Sequence, residues 1–352
     1  MDILKWKIFA SNNLPTWAFL RLAKIYRLVT RAFANSPPFK ASSGALEIRI
    51  PQRRLVAKDR LVLARPENYK LQQWDEAFSA YAVPCAGSSI DLAWTHKPVG
   101  GNFGDWLAPY IVNGVVDRAI RHIDLADPRN DVHVLSLGSI ISRANKNSIV
   151  IGSGINSIKD EINRSAIYRM VRGCITLEKI PAHAKSSEIY CCDPGFFMRE
   201  IYSPHRLAET SSKLLIPHIN HESLFSRIDS TGYKILHARA CRPQDIERLI
   251  DKIASAREVI TSAMHIFVMC CTYKIPCALI KPIMADVVVP GDGIKYRDCM
   301  SPIMVTDFTP TMVDLRSGTK VSEIVDTKLY EIDFDYIKKS YLRFHEILAE
   351  MR

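Results

Sequence analysis

The sequence lacks the cysteine pattern of a disulfide framework or a zinc site. Its nine cysteines are odd in number and contain no Cys-x-x-Cys pair, whereas disulfide-rich domains pair their cysteines and structural zinc sites use closely spaced pairs. Most of them stand in apolar runs such as 267–271. We therefore expect small core residues in a reducing compartment, with no metal and no bound cofactor.

Long apolar runs are also missing. Charge interrupts every apolar stretch well before the roughly 18 uninterrupted residues that a membrane-spanning helix needs. The opening MDILKWKIFASNN carries Asp2 and places polar residues where the apolar region of a signal peptide would continue. We expect no transmembrane helix and a cytoplasmic protein. With 47% hydrophobic and 24% charged residues in 352, the composition predicts a folded chain with more than one core.

Excess positive charge is scarce outside the front of the chain. Of the formal +10, residues 1–88 carry +8, from 14 basic and 6 acidic residues, and the remaining chain carries only +2. Within this front segment, residues 17–33 space their cations at three- and four-residue steps and place aromatic and aliphatic residues elsewhere. This pattern predicts an amphipathic helix with a basic stripe.

Two interpretations of the front helix stay open. It can lie in an anionic membrane interface, which would give the protein a peripheral contact with the inner face of the membrane through residues 1–40. It can equally dock on the body with its cations in water. Nucleic acid is not expected as a partner, because no nucleic-acid motif accompanies the charge and the aromatics follow the apolar face of the helix.

From residue 90 onward, short apolar runs alternate with helical patterns. Strands are predicted at 90–94, 132–137, 149–151, 168–171, 214–216, 235–238, 259–261 and 278–280, and helices at 105–113, 243–254 and 264–273. Such alternation predicts an α/β fold with parallel sheets. The polar stretch 200–212 suggests a boundary, so we divide the chain into 1–88, 89–205, 206–330 and a C-terminal helical segment, 331–352.

Several loops after these runs carry chemistry that a binding site needs. In doubly wound sheets, ligands bind at the carboxyl ends of strands, where loops and helix N-termini converge. Glycine lets a backbone approach a ligand closely, arginine suits an anion, and two histidines that end strands can act as acid and base. The positions are Asn102, Gly104, Asp105, Gly138, Ser139, Gly152, Ser153, Gly154, Arg172, Asp193, His218, Ser262 and His265.

Each position also has a purely structural interpretation. The glycine-rich loops are typical of tight strand-to-helix turns, with Asp105 as a helix cap. Arg172 fits an exposed surface residue, Asp193 fits a Pro-Gly turn, and a single histidine more often serves as a structural hydrogen-bonding group. The occurrence of two histidines at strand ends favours function.

The motifs NFGD, GSIISRANKNSIVIGSG, VRG before TLEK, DPG, IPH and TSAMH, in this order, resemble the polysaccharide pyruvyl transferase family. The likeness is to the bacterial exopolysaccharide enzymes of the succinoglycan type and covers residues 90–300. It implies two Rossmann-like domains in a GT-B-like arrangement. It also implies transfer of pyruvate from phosphoenolpyruvate to a sugar diol of a polysaccharide or lipid-linked repeat unit, which forms a cyclic ketal and releases phosphate.

Ketal formation from an enol phosphate needs a proton donor, a base and cations for a carboxylate and a phosphate. Under the resemblance, His265 and His218 would move protons and Asp105 would act as base. Arg172, Lys295 and Arg297 would hold the anions, and the remaining loop residues would bind substrate.

The chain departs from the family beside His265. Many members carry an arginine two residues before this histidine and a glycine after it, where this chain has Ala263 and Ile266. The Ala-Met pair before the histidine is similar to the succinoglycan branch. Ile266 changes the fit of a substrate beside His265.

Two other functions remain as alternatives. A nucleotide-sugar glycosyltransferase can use the same scaffold, because fold does not fix chemistry. A non-catalytic polysaccharide-assembly protein could retain the fold and bind partners through its basic front. Failure of His218, His265 and Arg172 to converge on one cleft would favour the assembly protein over both enzymes.

Overall fold

The computed structural model describes residues 77–81, 89–98, 100–116, 118–126, 131–205, 212–283, 291–303, 308–315, 318–323 and 325–351. The chain divides into two compact units, 1–51 and 52–352, and all the described residues belong to the second. The amphipathic helix predicted at 17–33, with the membrane contact predicted for residues 1–40, lies outside the described residues.

Six parallel strands form the first sheet. They are β1 (Ile90–Ala93), β2 (Ile120–His122), β3 (His133–Leu135), β4 (Ser148–Ile151), β5 (Ile167–Val171) and β6 (Lys185–Cys191), in the order β2-β1-β3-β4-β5-β6. Leu92, Leu135 and Val150, on the central strands β1, β3 and β4, are completely buried. This is the pattern of parallel strands that are covered on both faces.

Five parallel strands form the second sheet. They are β7 (Lys213–Ile216), β8 (Lys234–Ile235), β9 (Glu258–Thr261), β10 (Cys277–Pro282) and β11 (Thr311–Val313), in the order β11-β10-β9-β7-β8. Leu215, Ile260 and Ile280 lie in its core. The predicted α/β class with two parallel sheets is therefore confirmed, and it is consistent with Rossmann-like domains.

Helices connect the strands. They are α1 (Phe103–Val116), α2 (Cys174–Lys179), α3 (Met198–Ile201), α4 (Glu222–Phe225), α5 (Pro243–Ala254), α6 (Met264–Tyr273), α7 (Ile294–Met300) and α8 (Phe334–Glu350). In α5, Pro243 and Asp245 occupy the first turn, Lys252 lies near the end, and Ile246 and Ile250 face the core, as helix termini and amphipathic faces favour. Within the described residues, no helix is long and apolar enough to cross a membrane.

The three strands that sequence reasoning missed all lie at sheet edges. β2, β6 and β11 are edge strands, and two of them expose polar or isolated apolar side chains, namely Arg121, Thr311 and Met312. Edge strands pair on one side only and tolerate charge, so a search for apolar runs selects central strands. The edge strand β8 is also shorter than predicted and ends at Ile235.

The helix α8 packs against the first half of the fold. Asp333 caps its start by accepting a hydrogen bond from the Tyr336 N–H at 3.0 Å. The rings of Tyr341 and Phe344 lie 5.7 and 5.2 Å from the ring of Phe197. This aromatic face anchors the final segment of the chain.

A short described part of the front segment also packs on the body. Tyr81 is almost fully buried, and its hydroxyl donates a hydrogen bond to the Cys241 carbonyl at 3.0 Å. Its own carbonyl accepts from the Ile120 N–H at 2.8 Å. Residues 77–81 thus connect β2 with the loop that follows β8.

A buried ion pair joins the two halves. Arg172, at the end of β5, and Asp298, on α7, are both 0% exposed, and Nε lies 2.9 Å from Oδ2. Thr176 donates to both oxygens of this carboxylate, from its backbone N–H at 2.8 Å and from its hydroxyl at 2.7 Å. The guanidinium also donates to the Ser139 hydroxyl and the Ile155 carbonyl. Charge and hydrogen bonds are therefore satisfied together, as a buried pair requires.

Two glycines make room for this pair. A Cβ at Gly154 would lie 2.6 Å from the Arg172 guanidinium, and a Cβ at Gly173 would lie 1.8 Å from the Asp298 carbonyl oxygen. Neither position accommodates a side chain. The close approach of α7 to the first sheet thus depends on small residues as well as on charge.

We predict that Asp298→Ala lowers the free energy of unfolding by about 3–5 kcal/mol, because it leaves the Arg172 charge buried without a partner. Urea denaturation followed by circular dichroism measures this change. The matched control is Arg297→Ala, at the exposed neighbouring position on α7, for which we expect a change of about 1 kcal/mol or less. Equal losses for the two variants would contradict the structural role assigned to the pair.

Candidate functional site

The carboxyl ends of both sheets open onto one cleft of about 230 Å³. Loops after β1, β3 and β4 line one side, loops after β7, β8 and β9 line the other, and the start of α7 completes it. Parallel sheets bind ligands at this end. The lining residues are Thr95, Asn102, Phe103, Gly104, Asp105, Gly138, Ser139, Ile140, Asn156, His218, Ala238, Ala263, Met264, His265, Ile266, Lys295 and Tyr296.

Asp105 lies in the first turn of α1 and borders the cleft. Burial raises the pKa of this carboxyl to about 6, against the opposing effects of His265, Asn102 and Lys295. The Asn102 amide donates to Oδ2 at 2.9 Å and so fixes the side chain. A carboxyl with this pKa gains and loses a proton near neutral pH, as general acid–base catalysis requires.

His265, in the first turn of α6, faces a buried carboxylate. Its Nε2 lies 3.6 Å from Oδ2 of Asp193, which is 0% exposed. Burial alone would raise the pKa of Asp193, but His265, Arg172 and a hydrogen bond from the Gly195 N–H hold it below its usual value. Asp193 therefore stays ionised and places a negative charge 3.6 Å from the imidazole.

The Nδ1 side of the His265 ring packs on α1 at Gly104, a position that has no side chain. A Cβ at Gly104 would lie only 2.3 Å from Nδ1 of His265. Because α1 presents a glycine here, the starts of α1 and α6 can meet with the imidazole between them. Gly104 and Asp193 thus hold the ring from two sides.

His218, which follows β7, is a hydrogen-bond donor at the cleft. Its Nδ1 accepts from the Asn220 N–H at 3.1 Å, which places the proton of the neutral ring on Nε2. Burial, followed by the Lys295 charge, lowers its pKa to about 3, so the ring is neutral at pH 7. This favours a donor role over the proton transfer that the sequence predicted.

A buried serine supports this loop. The Ser262 hydroxyl accepts from the His218 N–H at 2.9 Å and lies 2.9 Å from Nδ1 of the buried His221. Burial also lowers the pKa of His221, to about 4. Ser262 therefore positions the loop after β7 and does not itself line the cleft.

Lys295 enters the cleft from α7. Burial, and then the charges of Arg172 and Lys281, lower its pKa to about 8, while Asp105 acts in the opposite direction. The amine remains mainly protonated at pH 7. It supplies a cation within a cleft that also holds an ionisable carboxyl.

Residues that are buried behind the cleft hold its floor in place through hydrogen bonds. The Gly138 carbonyl accepts from the Ser153 hydroxyl at 2.9 Å and from the Gly154 N–H at 3.0 Å. Arg172 Nη1 donates to the Ser139 oxygen at 2.6 Å, so the hydroxyl hydrogen of Ser139 is left for another acceptor. Of the three residues whose convergence was to separate an enzyme from an assembly protein, His218 and His265 line the cleft, whereas Arg172 is buried and reaches it only through Ser139.

Eight of the fifteen predicted site residues line the cleft. They are Asn102, Gly104, Asp105, Gly138, Ser139, His218, His265 and Lys295. Six others lie buried behind it, namely Gly152, Ser153, Gly154, Arg172, Asp193 and Ser262, and Arg297 is exposed on α7. In the described chain, no group of three or more His, Cys, Asp and Glu side chains is placed to hold a metal ion.

Sequence reasoning missed several residues of the cleft. Thr95 follows β1, Asn156 follows β4, and Tyr296 is adjacent to Lys295. The rule that ligands bind after parallel strands could have selected the first two. Ala263 and Ile266, where the sequence differs from the pattern of the family that it resembles, both border the cleft beside His265.

Comparison with known proteins gives little functional information. No protein-family model matches the chain. It is 22% identical over 204 residues to the uncharacterized protein L143 of Acanthamoeba polyphaga mimivirus, which covers 57% of this chain and 70% of that protein. A crystal structure of the functionally uncharacterized KP1_0663 from Klebsiella pneumoniae matches 65% of this chain and 92% of its own, at 11% identity and a TM-score of 0.35.

We predict that Gly104→Ala displaces His265, because the new methyl group would lie 2.3 Å from Nδ1. The imidazole resonances of the protein, observed by NMR, should show a large shift for His265. The control is Gly114→Ala in the same helix, at an exposed position where the new methyl group would lie 2.7 Å from Cγ2 of Ile201 and far from His265 in the sequence. The packing assignment fails if the His265 signals respond equally to both substitutions.

Proposed function

We propose that this protein transfers pyruvate from phosphoenolpyruvate to a sugar diol and forms a cyclic ketal with release of phosphate. One observation carries the proposal: Asp105, His265, His218 and Lys295, which come from both halves of the fold, meet in one cleft. The set offers a proton donor, a base, a neutral hydrogen-bond donor and a cation. These are the groups that the reaction needs.

Protonated His265 would begin the reaction by giving its proton to the methylene carbon of the enol phosphate. Positive charge then develops at the central carbon, and a sugar hydroxyl adds there as Asp105 takes its proton. The second hydroxyl displaces phosphate by breaking the carbon–oxygen bond and returns a proton to His265. The proton on Asp105 leaves with phosphate, so atoms and charge balance and both groups regain their starting states.

Two groups would hold the donor during these steps. Lys295 would bind an anionic group, and His218 Nε2–H, with the free hydroxyl hydrogen of Ser139, would donate to its oxygens. The buried Asp193 carboxylate, 3.6 Å from Nε2 of His265, would stabilise the imidazolium before proton transfer.

The size of the cleft favours a small donor. Its volume of about 230 Å³ falls below the roughly 300–1,000 Å³ of pockets that enclose drug-sized ligands. A nucleotide-sugar is a ligand of that larger class, whereas phosphoenolpyruvate is much smaller. The volume of the cleft therefore fits phosphoenolpyruvate as the donor.

The arrangement of the two sheets extends the proposal. Their carboxyl ends face a common cleft, which is the relation expected of a GT-B-like enzyme with its substrates between two Rossmann-like domains. The acceptor would then be a polysaccharide or a lipid-linked repeat unit. A peripheral seat at the inner face of the membrane through the basic front segment would suit a lipid-linked acceptor.

The direct experiment incubates the full chain with phosphoenolpyruvate and pyranoside diols of differing configuration, followed by phosphate release and mass spectrometry. We expect phosphate and a product that carries a pyruvate ketal. His265→Gln should abolish turnover, since the ring that moves the proton is lost, whereas His345→Gln on α8 should not. Phosphate release without ketal, or full activity of His265→Gln, would contradict the mechanism.

The pH profile of kcat/KM provides a second prediction. Asp105 must be ionised to act as base, so activity should rise with pH through about 6. Lys295 must be protonated to bind an anion, so activity should fall as pH rises through about 8. In Lys295→Arg the part of the alkaline limb that comes from Lys295 should disappear, because the guanidinium stays charged, while the part that comes from loss of the His265 proton should stay. An unchanged alkaline limb would remove Lys295 from the assigned role.

A further inference from the structure

A second lysine stands next to the cleft at a position that no sequence motif marked. Lys281 lies at the carboxyl end of β10, the end at which parallel strands present ligand-binding groups. It is half-buried, and its Nζ would be 3.2 Å from a Cβ at Gly293. Gly293 precedes α7 by one residue and Lys295 by two, so the ammonium group of Lys281 lies over the turn that leads Lys295 into the cleft.

The backbone of this turn requires glycine. Gly293 has φ +91°, a left-handed conformation that disfavours side chains. The preceding Gly291 has φ +105°, and a Cβ there would lie 2.4 Å from the carbonyl oxygen of Asn156, which lines the cleft. The turn therefore fits closely between Lys281 and the loop after β4.

The two lysines have no carboxylate partner among the described residues. In the described part of the chain neither forms an ion pair, and the charge of Lys281 adds to the positive surroundings of Lys295. The nearest acidic side chain of the turn, Asp292, is engaged by the Ser157 hydroxyl and by the N–H groups of Ile158 and Ile294. Asp105 is the one carboxylate that acts on Lys295 among the described residues. Two like charges offset by a single carboxylate cost free energy, which a doubly charged ligand would recover.

We propose that Lys281 and Lys295 form the subsite for a phosphomonoester dianion, and that Lys281 is its specificity-determining residue. The inference rests on the proposed function in one respect: the ligand would be the phosphate group of the enol phosphate donor. This orients the donor with its phosphate toward the end of β10 and its methylene carbon toward His265. Free phosphate, the released product, would occupy the same place.

Isothermal titration calorimetry of the full chain with inorganic phosphate tests the subsite without requiring turnover. Lys281→Met should weaken phosphate binding by about 10-fold, as expected for the loss of one charge-assisted hydrogen bond, and Lys295→Met should do the same. Binding of pyruvate, which has no phosphate, should change less than about 2-fold in Lys281→Met. Lys281→Arg, which keeps the charge, should retain most of the phosphate affinity.

The control is Lys338→Met, which removes the same charge from an exposed position on α8 and should leave phosphate binding unchanged. Circular dichroism and thermal melting establish that each variant is folded. The proposal is overturned if the native chain does not bind phosphate, or if Lys281→Met binds it as tightly as Lys338→Met does. If ketal forms but Lys281→Met keeps its phosphate affinity, only the subsite fails; if phosphate binding depends on both lysines but no ketal forms, only pyruvyl transfer fails.

Discussion

The buried pair of Arg172 and Asp298 is the interaction on which the arrangement of this molecule depends. It joins the end of a strand in the first sheet to α7, the helix between β10 and β11 of the second sheet. Removing two charges from water is costly, and only close geometry with further hydrogen bonds offsets that cost. Thr176 and Ser139 supply those bonds. The same helix carries Lys295. The ion pair therefore also fixes the helix that places this cation in the cleft.

The ionisable groups of the cleft differ from this pair, because their charges are only partly balanced by neighbouring groups. Asp105 is buried enough to hold its proton more tightly than usual, and Lys295 is buried enough to hold its proton less tightly. Both shifts lower the cost of changing protonation state near pH 7, which is useful in catalysis and adds nothing to stability. Beside these groups, His265 has the buried carboxylate of Asp193 3.6 Å from its Nε2. Asp298, whose charge holds the fold together, is thus only a few residues from Lys295, whose charge faces the cleft.

Sequence reasoning selected residues around the cleft, but it did not separate the residues that line the cleft from those that are buried behind it. Positions after apolar runs were informative because parallel strands end at one edge, and Asp105, His218 and His265 meet there. Whether a polar side chain faces the cleft or the interior depends on tertiary packing, which a sequence pattern does not encode. For this reason Arg172 appeared as an anion-binding group, although its guanidinium is turned inward to Asp298.

The fold shows the same division between local and tertiary information. Central strands and the long helices α5 and α6 were predictable from apolar runs and helix signals, since they bury continuous apolar surface. Edge strands were not, because their pairing depends on a neighbour and their side chains remain in contact with water. Lys281 illustrates the limit for function: its significance comes from a close approach to Gly293, twelve residues later in the sequence.

The central claim is that this cleft binds a small enol phosphate. The most direct measurement is a calorimetric comparison of phosphoenolpyruvate with nucleotide-sugars on the full chain, with phosphate as competitor. Binding of phosphoenolpyruvate that phosphate displaces, together with no binding of nucleotide-sugars, is the result that we predict. Tight binding of a nucleotide-sugar with none of phosphoenolpyruvate would contradict the claim and favour a glycosyltransferase.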